Sequence, residues 1–185
     1  MHDEARLLLR YLDAQRNHVL STVDGLTDEQ LRQPVLPSGW HFLGMLKHLA
    51  LGDERYWFRS IVAGEPLDLL DNGPGSDWCV ADDEAATDVI DLYRFEIEQS
   101  NAIISTTPLD RPPLQKDPRW RTWRADFTDV RDIVLHVITE TACHAGHLDA
   151  AREVIDGQQW LRLQPAEGPE PLWVPGLPNG GGGRI

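Results

Sequence analysis

The feature that most constrains this chain is the stretch His136-Val-Ile-Thr-Glu140-Thr-Ala-Cys-His144-Ala-Gly-His147, which lies inside a segment that reads as helix. An α-helix turns roughly 100° per residue. With His136 at zero, Glu140 falls near ~40°, His144 near ~80° and His147 near ~20°. Three imidazoles and a carboxylate therefore leave one narrow stripe. Burying such a stripe against apolar neighbours is costly unless something satisfies it. A divalent metal would do so, and imidazole with carboxylate suits zinc first, with nickel or iron as alternatives. One helix cannot complete the site, so another must present a donor.

At 185 residues the chain suits a single domain with a sizeable core. Its 17 basic and 30 acidic residues give a net charge of −13. A surface that negative argues against nucleic acid and against an anionic membrane as partners. No apolar run reaches membrane-spanning length. The first ten residues lack the basic flank and apolar stretch of a signal peptide, so a cytoplasmic protein is expected. Two cysteines, Cys79 and Cys143, set no disulfide framework and no Cys-x-x-Cys spacing.

Four long segments carry helical periodicity, and none shows sustained strand alternation. The first covers residues 3–23 and stops at Gly25. A short turn follows, capped by Thr27 with Asp28 and Glu29 in its first turn. The second helix is predicted over 42–63, with Gly64 as its stop. Residues 65–80 read as a long loop. The third helix is predicted over 83–106, ended by the prolines that follow. The fourth starts at 128 or 129 and ends at Gly157. This is an all-α pattern, an antiparallel four-helix bundle with long interhelical loops. The division is a bundle over 1–157 and an irregular C-terminal tail over 158–185, rich in proline and glycine.

The second helix offers His48, with Met45, Leu49 and Gly52 as neighbours three and four positions away. From position alone, a lone histidine on such a strip is more often a hydrogen-bonded core residue. The ligand-rich stripe on the fourth helix favours the ligand reading, because each group would offset the other's cost of burial.

These residues carry a resemblance. His48 follows a helix opened by Ser38-Gly-Trp40, and the last helix holds Glu140-x-x-x-His144-Ala-Gly-His147-Leu-Asp149. Leu12-Asp-Ala-Gln-Arg16, Gly25-Leu-Thr27 and Trp57-Phe58 add to the ordered set. The chain resembles the DinB-like superfamily, and more narrowly a branch near the mycothiol-dependent maleylpyruvate isomerases. The resemblance implies an antiparallel four-helix bundle holding one divalent metal through His48, Glu140 and His144. Many relatives have histidine where this chain has Glu140, whereas the isomerases are similar to it in using glutamate. His147 stands where many relatives carry glutamine. It is a fourth ligand, a replacement for Glu140, or an acid/base group beside the metal, and the sequence leaves all three open. Cys143 occupies a place where this branch has a basic residue, so a partner for an anionic substrate group is missing.

Other constellations are weaker. His136 reads as a helix-packing residue that could orient Glu140 through a hydrogen bond. Asp149 is expected on the surface, His2 and His18 exposed, and Cys143 a small buried residue. His41, beside Trp40, is a candidate for the mouth of a pocket. Arg119-Trp-Arg-Thr-Trp-Arg124 is either a lid for an anionic or planar substrate or ordinary loop packing with surface ion pairs. The glutamate precedes both histidines, unlike the His-Glu-x-x-His order of zinc peptidases, and no duplicated Glu-x-x-His pattern of di-iron bundles occurs.

Three protein ligands leave a coordination position open, the mark of a catalytic metal. That position would take either a water for hydrolysis or the sulfur of a low-molecular-weight thiol. The resemblance favours a mycothiol-like thiol, hence a metal-dependent thiol S-transferase or isomerase acting on a small molecule, with His147 as candidate catalytic proton shuttle. The competing readings are a metal-dependent hydrolase and a non-enzymatic, stress-associated metal- or ligand-binding protein. A homodimer is compatible with a bundle of this size.

Overall fold

Apolar residues recur every three or four positions along the start of the chain, and they form one continuous helix. The computed structural model describes residues 3–66, 75–120 and 126–159. In it α1 (Asp3–Val23) buries Leu8, Leu12, Val19 and Val23 on one face. The short α2 (Asp28–Arg32) begins as its sequence dictates. The Thr27 hydroxyl accepts from the Gln30 amide, and the Gln30 side chain accepts from the Thr27 amide.

The second long helix keeps its expected extent and changes its winding. Phe42–His48 (α3) is α-helical, but Leu49–Val62 continues the axis with i→i+5 hydrogen bonds. Such wide winding is rare and often lies beside functional sites. Gly64 closes it in the left-handed conformation, φ 81°. A single 3₁₀ turn, Ser76–Trp78, follows.

The next helix, α4 (Ala86–Thr106), starts three residues later than predicted. Glu84 explains the delay. Its carboxylate accepts from the Lys47 ammonium at 2.7 Å and from the Ala81 amide at 3.2 Å, which holds the acidic run as a turn. The last helix, α5 (Val130–Asp156), is capped by the Asp129 side chain and ends at Gly157, φ 74°. No strand occurs among the described residues, and the all-α class is as expected. Arg121, Trp123, Arg124 and nearly all of the expected 158–185 tail lie outside the described residues.

Two apolar clusters form the core. One gathers Leu8, Leu12, Trp57, Ile61, Ile104, Ile133 and Val137. The other gathers Val19, Phe42, Leu46, Leu49, Tyr93, Leu148 and Ala151. Between them the four long helices contribute buried polar residues: Arg16, Asp53 with Glu54, Glu96 with Ser100, and Thr141. Arg16 and Glu54, each 1 % exposed, make a bidentate pair at 2.7 and 2.6 Å. Asp13 and Asn101 both accept from the guanidinium Nη1. Burial lowers the Arg16 pKa, but its contacts with Glu54 reverse that and raise it overall.

Helix directions refine the expected arrangement. Arg131 reaches Glu4 at one end of α1, while His18 meets Asp149 and Arg152 donates to the Thr22 and Asp24 carbonyls at the other. Thus α1 and α5 run in the same sense. His136 packs on Trp57 and His144 on His48, so α5 runs against the second helix.

The buried pair yields a stability prediction. Arg16→Ala strands the Glu54 carboxylate and should cost about 3–5 kcal/mol. Replacing the pair together, as Arg16→Met with Glu54→Leu, should cost less than Arg16→Ala alone. Urea unfolding of the two variants beside wild type measures both.

A histidine and carboxylate centre between two helices

His48 is the last residue of α3, where the winding changes, so its ring stands at the junction of the two helical forms. Its Nδ1 lies 2.5 Å from Asp77 Oδ2, supplied by the 3₁₀ turn. Burial raises the Asp77 pKa, but the hydrogen bond and charge of His48 bring it below the usual carboxylate value. A carboxylate on one ring nitrogen fixes the orientation of the imidazole and turns the other nitrogen, Nε2, away from it. Trp78, next in the turn, stacks on His48 with centroids 4.1 Å apart and planes 16° from parallel.

His144 comes from α5 and meets His48 edge-on, with centroids 5.2 Å apart. Its Nδ1 is buried without a hydrogen-bond partner. Burial first, then the neighbouring His48 and His147, pull its pKa down to about 4. The ring is therefore neutral at ordinary pH, with its buried Nδ1 making no hydrogen bond. His147 lies 5.8 Å from His144 and 6.4 Å from Trp40, with its side chain exposed. Glu140 sits one turn before His144, partly exposed, on the same stripe.

Two glycines make room for this packing. A Cβ on Gly52 would stand 2.9 Å from Asp77 Oδ2 and from both Cε1 and Nδ1 of His48. A Cβ on Gly44 would stand 2.9 Å from the Trp78 carbonyl oxygen. The two positions let the 3₁₀ turn lie close against the second helix.

The structure thus brings His48, His144 and His147 of the sequence-derived set together. Among the described residues, no three His, Cys, Asp or Glu side chains converge to hold a metal as they stand. The donor chemistry still fits a divalent ion. The orphaned His144 nitrogen, the His48 imidazole and the Glu140 carboxylate one turn back along α5 are the types that bind one.

Several expectations change. His136 makes no hydrogen bond to Glu140, since Nδ1 and Oε1 are 3.9 Å apart. Its ring packs against Trp57 and Phe127 instead, and burial lowers its pKa. His18 is not exposed, nor is Asp149 simply a surface acid: the two pair at 2.9 Å and tie α1 to α5. Cys143 is exposed rather than buried, because the helix turns it to the solvent side of α5. His41 caps α3, its Nδ1 accepting from the Gly44 amide. As expected, it also borders a cavity of about 380 Å³ lined by Ser38, Gly39, Trp40, His41 and Trp78. Within the Arg/Trp segment, Trp120 is a core residue beside Trp57 and Phe127, and Arg119 binds Asp117. For those two residues loop packing is the outcome.

Sequence reasoning missed Asp77 and Trp78, which lie in a loop whose approach to α3 depends on tertiary packing.

Fold and site together define an all-α protein with a histidine-rich centre between two antiparallel helices. Residues 7–157 match the family model described as mycothiol-S-transferase, and the chain belongs to that family. No curated protein and no solved structure matched it.

Gly52 carries a prediction. Gly52→Ala gains about 1 kcal/mol of helix propensity but pushes Asp77 off His48. Thermal stability should be nearly unchanged, and on the metal-centre reading proposed below zinc affinity should fall by roughly 10–100-fold, as when a histidine ligand loses its outer partner. Parallel thermal melts and zinc titrations test it.

Proposed function

We propose that this chain is a metal-dependent thiol S-transferase that uses mycothiol or a similar small thiol at the His48–His144 centre. The observation that carries the reading is the meeting of His48 and His144 from two separate helices, with the buried His144 nitrogen left without a partner. The residues that would hold the ion are His48, Glu140 and His144, with His147 as a fourth donor or as the nearby acid/base group. A divalent ion bound there would acidify a thiol, supplying a thiolate nucleophile at neutral pH. Membership in the mycothiol-S-transferase family favours transfer over isomerisation.

The chain's own residues supply the rest. Asp77 holds the His48 ring in place, and Trp78 covers one face of that ring. His147, at the exposed edge, takes the thiol proton as sulfur bonds to the electrophilic carbon, and returns it to solvent or to the leaving group. The cavity beside Trp40 and Trp78 is the place for a small organic molecule, since its walls combine two indole faces with the polar side chains of Ser38 and His41.

The test is elemental analysis followed by a thiol-consumption assay with mycothiol and an activated aryl chloride. Purified protein should carry about one divalent ion per chain, the number a single mononuclear site takes. His48→Ala, His144→Ala and Glu140→Gln should each lose it, with activity falling by more than the ~10–100-fold that an outer-shell change costs. Stoichiometric metal retained in the His48 variant would remove the second helix from the centre. Thiol consumption no faster than in metal-free protein would end the transferase reading.

A further inference from the structure

An electrophilic aromatic ring is poor in electrons, so its face is drawn to the negative face of an electron-rich ring such as indole. Indoles are therefore suitable walls for a substrate of that kind. Two of them, Trp40 and Trp78, border the cavity of about 380 Å³ together with Ser38, Gly39 and His41. That volume is at the small end of the roughly 300–1,000 Å³ usual for ligand clefts, which suits a compact molecule. Each indole also reaches the histidine centre. Trp78 stacks on His48 at 4.1 Å and lies edge-on to His144 at 6.0 Å, while Trp40 stands 6.4 Å from His147. The cavity is thus joined to the centre through two of its walls.

Charge around the cavity narrows the choice. None of its lining residues is a lysine or an arginine. His41 is neutral, because burial and then the Arg32 charge lower its pKa, and its Nδ1 accepts from the Gly44 amide at 3.1 Å. Arg32 itself donates to the Asp28 carboxylate and to the Ala81 and Glu84 carbonyls. Lys47 holds both oxygens of the Glu84 carboxylate. A carboxylate entering the cavity would shed water and find these two cations already paired, in a chain of net charge −13. An uncharged ring bears no such cost.

We infer that Trp40 and Trp78 set the substrate specificity of the histidine centre, selecting an uncharged, electron-poor planar ring and rejecting its carboxylated counterpart. This rests on the thiol-transfer reading above and names the class of the second reactant. For an aryl chloride the exchange balances without a further reagent. The thiol sulfur bonds to the ring carbon, the C–Cl bond breaks with its electron pair leaving on chloride, and the thiol proton passes to His147.

The experiment is isothermal titration calorimetry of the full chain, without thiol, against two probes that carry no halide: meta-dinitrobenzene and dinitrobenzoate. Wild type is compared with Trp40→Leu and Trp78→Leu, and with the conservative Trp40→Phe and Trp78→Phe. Wild type should bind the neutral ring at least about tenfold more tightly than the carboxylate, which enters without a counter-ion. Each leucine variant should lose roughly threefold to tenfold in affinity for the neutral ring, the range of one aromatic pair, and each phenylalanine variant should recover most of it. Thermal melts show which variants are folded, and should a leucine variant unfold, the preference of wild type between the two probes still decides. Equal affinity for both probes overturns the inference, as does wild-type affinity in both leucine variants or no binding by wild type. If one of those failures comes while thiol consumption is metal-dependent, only the role of the two indoles is lost. If the binding pattern holds but thiol is never consumed, the transferase reading falls and the ring selectivity of the cavity stands.

Discussion

The bidentate contact between Arg16 and Glu54 organises everything else in this molecule. It is fully desolvated, and Asp13 and Asn101 add hydrogen bonds from Nη1 that offset the cost of its burial. It joins α1 to the wide-wound segment at the level where the two apolar clusters part. A polar layer at that level has a further effect. Helices that carry it cannot slide along one another without separating charge from countercharge, so their relative heights are set. The height of the second helix relative to α5 decides whether His48 meets His144, and the layer sits only one to two turns from that meeting.

Much of the fold was legible in the sequence because it depends on local signals. Thr27 with Gln30, Asp129 and Gly157 mark helix ends through capping chemistry that needs no distant partner. The histidine stripe on the last helix and the core-facing His48 followed from helical spacing in the same way. The late start of α4 was not legible, since it depends on Lys47 engaging Glu84 from another helix. Nor was the winding of Leu49–Val62, for which the residues give no periodic cue. His18 and Asp149 were misjudged for a related reason: each reads as a surface residue alone, and only the same-sense packing of α1 and α5 brings them together.

The site as built has a rigid side and an accessible side. Asp77, Trp78 and Gly52 form the rigid side, where a carboxylate, an indole and the absence of a Cβ fix one imidazole. His147 and Glu140 form the accessible side on α5. This division suits a transferase of the mycothiol-S-transferase family, which must hold one reactant firmly while a second comes and goes. It also explains why an acidic chain need not repel its substrate: the lining of the cavity beside Trp40 is aromatic and largely uncharged.

Trp78 belongs to both parts. One indole borders the cavity and presses on the His48 ring. On the proposed function, a guest in the hollow and an ion on the imidazole would both bear on this indole, and their binding would be thermodynamically linked. Linkage of this kind is reciprocal: a guest that tightens the grip on a cation is itself gripped more tightly by the same factor. Order of arrival would then be a property of the indole's position, without any moving lid.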